Sequence, residues 1–179
     1  MIKTATARKF ARSLIEVIEK EADLETIYSE LVALSDLLLG SSEALNFFSN
    51  PGVPAERKEF AMTEITGKMG CSAVTKSFMF VLLKKRCIGL LKEITVQFLL
   101  SIDDVKNRVR GSVTVAEPLD SGEYALLQKK LSEITRKEVV VSVDVDPSII
   151  GGVITKIGSL VIDGSIKNQI KLVQEKLLN

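Results

Sequence analysis

Apolar residues along the first hundred positions recur at helical spacing. Ala7, Phe10, Ala11, Leu14, Ile15 and Ile18 fall at i, i+3, i+4, i+7, i+8 and i+11, on one face of a helix, while Arg8, Lys9, Arg12 and Glu16 take the other side. Leu24, Ile27, Tyr28, Leu31, Leu34 and Leu38 repeat the pattern, and Gly40 is a natural stop. Ser42 is placed to cap a short third helix around Leu45, Phe47 and Phe48. Asn50-Pro51-Gly52 is a turn, and Pro54 opens a fourth helix that carries Phe60 and Ile65. Gly67 and Gly70 end it, and Ser72 caps a fifth.

The fifth segment breaks the amphipathic rule. Phe78-Met79-Phe80-Val81-Leu82-Leu83 is apolar all round the helix, so it must be covered on more than one side. Two readings stay open: a helix central to its own bundle, or one whose second side waits for a partner. After it, Leu91, Ile94, Phe98, Ile102, Val105 and Val109 form one stripe within Leu90 to Arg110. Unbroken, that helix spans about 30 Å at 1.5 Å per residue and can lead from one domain into the next.

At Gly111 the period changes. Ser112-Val113-Thr114-Val115-Ala116 alternates as a strand does, Pro118 and Ser121-Gly122 punctuate, and Tyr124, Leu127, Leu131 and Ile134 mark a helix. Glu138 to Val145 is a further strand. Pro147 stops it, Gly151-Gly152 permits a tight reversal, and Val153 to Ile157 reads as the returning strand. Gly158-Ser159 breaks that run, Leu160-Val161-Ile162 resumes it, and Asp163-Gly164 signals a turn that Ser165 follows as a helix cap. Ile166, Ile170, Val173 and Leu177 close the chain as an amphipathic helix, its stripe expected to cover the small sheet. The pattern predicts an α+β protein: an N-terminal all-α six-helix bundle over residues 1–105, then a small C-terminal α/β domain with a β-hairpin over 106–179.

Composition narrows the function. A chain of 179 residues with 46% hydrophobic and 26% charged side chains is that of a globular protein able to bury a core. The net charge of +1 is evenly mixed, which excludes the one-signed surface that recruits nucleic acid through counterion release. Lys84-Lys85-Arg86 is the one basic cluster, and a solvated helix end accounts for it. No run of eighteen apolar residues exists to span a membrane, and the first residues lack a secretory apolar core. Histidine is absent, and the two cysteines, Cys71 and Cys87, are too few for a zinc site. Neither a G-x-S-x-G elbow nor a G-x-x-x-x-G-K-[ST] loop occurs. Asp144 and Asp146 share a strand face but bring no further ligands, so no catalytic residue, metal site or cofactor site is assigned.

The run Asp146, Pro147, Ile150, Gly151, Gly152, Ile157, Gly158, Asp163, Gly164 and Ser165 resembles the C-terminal motif of the delta subunit of bacterial F-type ATP synthase, whose mitochondrial counterpart is the oligomycin-sensitivity-conferring protein. The N-terminal half repeats the resemblance. Ala7 to Leu14 is similar to the family's A-R-R-Y-A-x-A-L opening, Phe47 to Pro51 with Lys58 to its F-L-x-N-P turn and following helix, and Leu90 to Ile94 to its L-L-P-E-I element. Lys84 to Gly89 departs from the usual E-N-x-R-L loop.

The resemblance implies a non-catalytic stator subunit, present in one copy per complex, that ties the catalytic head to the peripheral stalk so that rotary torque is resisted and proton flow is coupled to ATP synthesis. It implies that the helical domain holds the N-terminal helix of an alpha subunit and that the C-terminal domain holds the ends of the stalk b subunits. It also implies a peripheral place on the cytoplasmic face of the inner (plasma) membrane, with no nucleic acid bound and no direct membrane insertion. Ala7, Ala11 and Leu14 of helix one, with Met79, Phe80 and Leu83 of helix five, are expected to border the alpha-subunit groove; small residues would let a partner approach closely. Asp146, Pro147, Gly151, Gly152, Gly158, Asp163, Gly164 and Ser165 are expected to act as structural turns. The alternative is a small enzyme or ligand-binding protein with the Gly-rich hairpin as its site, binding an anion through backbone amides.

Overall fold

The computed structural model describes residues 2–158 and 160–178, and the side chains among them except those of residues 2, 3, 172 and 175–178. Leu177, the last member of the closing stripe, lies outside the described side chains. The chain falls into two compact units, one ending at Ile102 and the next beginning at Asp103.

The helical unit is built from α1 (Ile2–Val17), α2 (Glu21–Gly40), α3 (Ser42–Ser49), α4 (Ala55–Lys68), α5 (Ala73–Lys84) and most of α6 (Leu91–Val105), with a 3-10 turn at Ile88–Leu90. Helix α6 straddles the border at Ile102, and two more α-helices follow it. The first unit is all-helical, and the α+β class stands. Its core is the set of stripes read from periodicity: Ala7, Ala11 and Leu14 on α1; Leu24, Ile27, Leu31, Leu34 and Leu38 on α2; Met79 and Leu82 on α5; Leu91, Ile94, Phe98 and Ile102 on α6. Phe98 is wholly enclosed at the centre.

Several helix starts are set by side chains that answer the unpaired N–H groups of a first turn. Ser41, at φ −112° and ψ 117°, accepts from the Ala44 N–H and caps α3. Ser42 is already inside the helix, so the cap lies one residue earlier than the sequence suggests. Ser72 caps α5 through the Thr75 N–H and is itself held from α2: Glu30 accepts the Ser72 N–H at 2.9 Å on one oxygen and the Ser72 hydroxyl at 2.9 Å on the other. One carboxylate thus satisfies an amide and places the end of a neighbouring helix.

The second unit is one four-stranded sheet with two helices. Its strands are β1 (Arg108–Val115), β2 (Glu138–Val145), β3 (Val153–Ile157) and β4 (Leu160–Asp163), in spatial order β2-β1-β3-β4. The helices are α7 (Ser121–Thr135) and α8 (Ile166–Leu178). β1, α7 and β2 make a parallel crossover unit, in register from Arg108↔Glu138 to Val115↔Val145. β3 runs antiparallel to β1 and β4 antiparallel to β3. Val113, Val115, Val139, Val141 and Ile157 bury one sheet face against Leu131 of α7. Helix α7 begins with a capping box in which Asp120 accepts the Glu123 N–H and Glu123 accepts the Asp120 N–H.

Two expectations change here. β3 does not return onto β2: it passes to the far side of β1, and the hairpin is β3–β4, turning at Gly158 with φ +57°. Period-2 alternation identifies a strand but not its neighbour, and the 3-10 turn at Pro147–Ile149 carries the chain across the sheet end. The long helix also stops sooner. α6 ends at Val105, Asn107 takes a left-handed φ of +48°, and Val109 belongs to β1. Asp103 secures this exit, accepting from Arg110 Nε at 2.6 Å and Nη2 at 3.1 Å, with the carboxylate buried.

Truncating Phe98 leaves a large hole that the surrounding helices cannot fully close. Phe98→Ala should cost the helical unit about 3–5 kcal/mol, read from the shift of its urea midpoint at constant slope.

Candidate partner-binding surfaces

The glycine-rich run folds as a backbone crossing. Asp146 opens the 3-10 turn, its carboxylate accepting the Ser148 N–H at 2.9 Å, and Pro147 takes a first-turn position. Further on, the Asp163 carboxylate accepts the Ser165 N–H at 3.0 Å, and buried Ser165 caps α8 by accepting the Asn168 N–H at 3.2 Å. The two ends are then tied: Gly164 N–H donates to the Val153 carbonyl at 2.9 Å and Ile166 N–H to the Gly151 carbonyl at 3.0 Å. Gly152 sits at this contact with φ +81°, and a Cβ there would collide with the Gly164 carbonyl oxygen. Asp146, Pro147, Gly151, Gly152, Asp163, Gly164 and Ser165 are thus brought together as one turn assembly, and Gly158 stands apart at the hairpin tip. The Gly151 carbonyl is used internally to start α8, which suits a scaffold.

Ile150 of the motif lies next to this crossing. It holds φ +69° and ψ −39°, a region that a β-branched residue rarely enters, and its side chain is 64% exposed. It borders an open cleft with Val115, Pro118, Leu126, Leu127 and Val153.

In the helical unit, four of the six groove residues named from the sequence are core. Ala7, Ala11 and Met79 are fully enclosed and Leu14 nearly so, while Phe80 and Leu83 are half-buried against the same core. The small residues of α1 serve close packing within its own unit. Phe10 meets Phe78 edge-on with ring centroids 6.3 Å apart, which shows the flank of α5 that faces α1. At about 100° per residue, Val74 and Val81 lie on that flank and Phe80 on the opposite one. Val81 is exposed and Val74 half-buried.

The described apolar side chains of α8 are uncovered. Ile166, Ile170 and Val173 are 43%, 57% and 56% exposed, so this stripe does not cover the sheet as expected. At β4, Leu160, Val161 and Ile162 are exposed as well. Periodicity finds an apolar stripe but cannot say what lies against it.

Chemistry for catalysis is sparse. Among the described residues no three of His, Cys, Asp and Glu are grouped to hold a metal. Burial, reinforced by the Glu30 carboxylate, pushes the Cys71 thiol up and keeps it protonated. No single described helix is long and apolar enough to cross a membrane.

Comparison with known proteins matches residues 6–177 to the family described as ATP synthase delta (OSCP) subunit. A relative from Geotalea uraniireducens (strain Rf4), "ATP synthase subunit delta", is 34% identical over 177 residues, covering 99% of this chain and 98% of its own. Another of that name from Desulfatibacillum aliphaticivorans is 35% identical over 171 residues, covering 96% and 93%. The fold is shared with a chain of the Toxoplasma gondii mitochondrial ATP synthase hexamer, at a TM-score of 0.59 and 17% identity over 97% of each chain.

Two outcomes test the turn assembly. Relief of the strained backbone should let Ile150→Gly raise the stability of the second unit by about 1 kcal/mol, net of glycine's entropic cost, seen as a higher denaturant midpoint. The Ser148 N–H and hydroxyl hold the Asp146 carboxyl below the usual carboxylate range, and the Ser165 hydroxyl and N–H do so for Asp163. A lowered folded value stabilises above the unfolded aspartate pKa, about 3.9, and that gain is lost as pH falls through the folded value. Thermal melts of Asp163→Asn should therefore start lower at pH 7 and decline less steeply below pH 4 than those of the parent.

Proposed function

We infer what this chain does from the premise that it belongs to the ATP synthase delta (OSCP) subunit family. It is a non-catalytic stator subunit of the ATP synthase, a structural part of the complex that makes ATP and transports ions. The observation that carries this is the family match over residues 6–177, which takes in both units. Its work is mechanical. A turning shaft exerts torque on the catalytic head, and unless the head is held, rotation drives no chemistry. Such a link needs bound surfaces and stiff elements rather than reactive groups.

We propose that the helical unit holds the head through the N-terminal helix of an alpha subunit and that the C-terminal unit holds the ends of the stalk b subunits. One copy serves each complex, peripherally, on the cytoplasmic face of the inner (plasma) membrane. The alpha-subunit helix lies along α1 and α5, over core residues Ala7, Ala11, Leu14 and Met79, with Val74 and Val81 on the α5 flank that faces α1 and Phe10 on α1 beside them. Phe80 and Leu83 border α5 on its other side. What supports this placement is the apolar surface that α5 keeps after its own core is filled, in the helix-in-groove mode of recognition. The stalk lies along α8, supported by the uncovered stripe Ile166, Ile170 and Val173.

The experiment separates the two ends in the full chain. A charge set into either apolar contact must be desolvated on binding, which costs several kcal/mol when unpaired. Val81→Asp should weaken binding of an alpha-subunit N-terminal peptide at least tenfold and leave stalk binding intact. Ile170→Asp should do the reverse. Equal loss of both partners in either variant would overturn the division of roles, and loss of peptide binding in Phe80→Asp but not Val81→Asp would move the helix to the other flank of α5.

A further inference from the structure

The two edges of the sheet are finished differently. At the β2 edge, the carbonyls of Val139 and Val141 are taken by α7: Gln128 Nε2 donates to the first at 2.8 Å and the Tyr124 hydroxyl to the second at 3.2 Å. That edge cannot accept another strand without displacing them. At the β4 edge, among the described residues, a helix side chain engages a carbonyl only at the last position, where Asn168 Nδ2 donates to Asp163. Among the described residues β4 pairs with β3 alone, and every one of its side chains is exposed.

The groups left along that edge follow from alternation through the sheet. The Val115 carbonyl accepts from Asp146 N–H on the β2 side, so Ser112 and Thr114 direct their backbone groups to β3. Their partners Lys156 and Ile154 answer them, and Thr155 and Ile157 turn to β4, bonding Ile162 and Leu160. Val161 and Asp163 therefore point outward. Val161 presents both N–H and C=O, and Asp163 its N–H, since the Asp163 carbonyl accepts from Asn168 Nδ2 at 3.4 Å.

An exposed edge reading Leu160-Val161-Ile162, with no lysine, proline or bulge to blunt it, is an invitation to another strand. We propose that β4 is a strand-addition site, and that its occupant is an extended segment of the stalk partner with apolar side chains at alternate positions. The inference rests on the reading that the stalk lies on the C-terminal unit. Continuity picks this occupant. β4 leads through Gly164 and Ser165 straight into α8, so a chain laid over Ile166, Ile170 and Val173 passes the open edge. A second copy of this chain offers only its own four-residue edge, whose few bonds around Val161 are too little to hold two free molecules together. The added strand bonds Val161 and Asp163, and its apolar side chains lie beside Leu160 and Ile162.

Val161→Pro removes the outward N–H while sparing the bonds to β3, because residue 161 makes none of them. Val161→Thr keeps it. With the full chain and the soluble part of the stalk b subunits as probe, Val161→Pro should bind at least tenfold more weakly, Val161→Thr within threefold of the parent, and both should melt near the parent temperature. Hydrogen exchange on the parent complex should slow at least tenfold at the Val161 and Asp163 amides. That measurement decides the matter even if the proline variant fails to fold. Unchanged exchange at both amides, with Ile170→Asp still abolishing binding, overturns strand addition and leaves the stalk reading standing. No binding of the stalk by the parent chain overturns both. Protection that rises with the concentration of this chain alone assigns the edge to a second copy and overturns the proposal.

Discussion

Backbone amides and carbonyls that leave water must find partners, and this constraint decides more of the molecule than any single side-chain contact. Four helix starts are instances. Ser41, Ser72, Asp120 and Ser165 each give a side-chain oxygen to an N–H of a first turn. Glu30 extends the same solution across two helices by gripping the Ser72 amide and hydroxyl together. In the second unit the constraint shapes the path of the chain. Bonds from Gly164 to Val153 and from Ile166 to Gly151 draw two turns into a contact so close that residue 152 must be glycine. The crossing fixes where β4 ends and where α8 begins.

Burial of apolar surface supplies the drive, and it is divided unevenly. The helical unit encloses most of its stripes, from Ala7 on α1 to Ile102 on α6, although Phe60 on α4 stays exposed. The C-terminal unit encloses one sheet face under α7 and stops there, leaving the α8 stripe and the β4 side chains in solvent. A thirteen-residue helix whose described apolar side chains have little cover is marginal by itself, because most helical stability in proteins comes from packing. Such surface is costly to leave exposed, which is why we propose that the stalk binds there. The carboxylates with lowered proton affinity, Asp146 and Asp163, spend their charge on turn amides.

The sequence by itself determined the kinds of element and their order, because period 3.6 and period 2 are direct consequences of backbone geometry. Leu24 to Leu38, Leu91 to Phe98 and Glu138 to Val145 needed nothing else. It also determined family, since the Asp146 to Ser165 run is spaced by the turn assembly it must build. Tertiary structure alone decided the rest. Residues Val105 and Val109 continue a helical stripe on paper, yet Asn107 turns left-handed and the pairing of exposed Arg110 with the buried Asp103 carboxylate draws Val109 into β1. Strands β2 and β3 are neighbours in sequence but not in the sheet, since pairing is set by which edges remain open once β1 is in place. Which stripe is core and which is surface was equally hidden: Ala7 and Met79 are enclosed while Ile170 is not, though all three sit on regular apolar faces. Periodicity is a property of one segment. Burial and strand pairing belong to pairs of segments, and a pair exists only when the chain has folded.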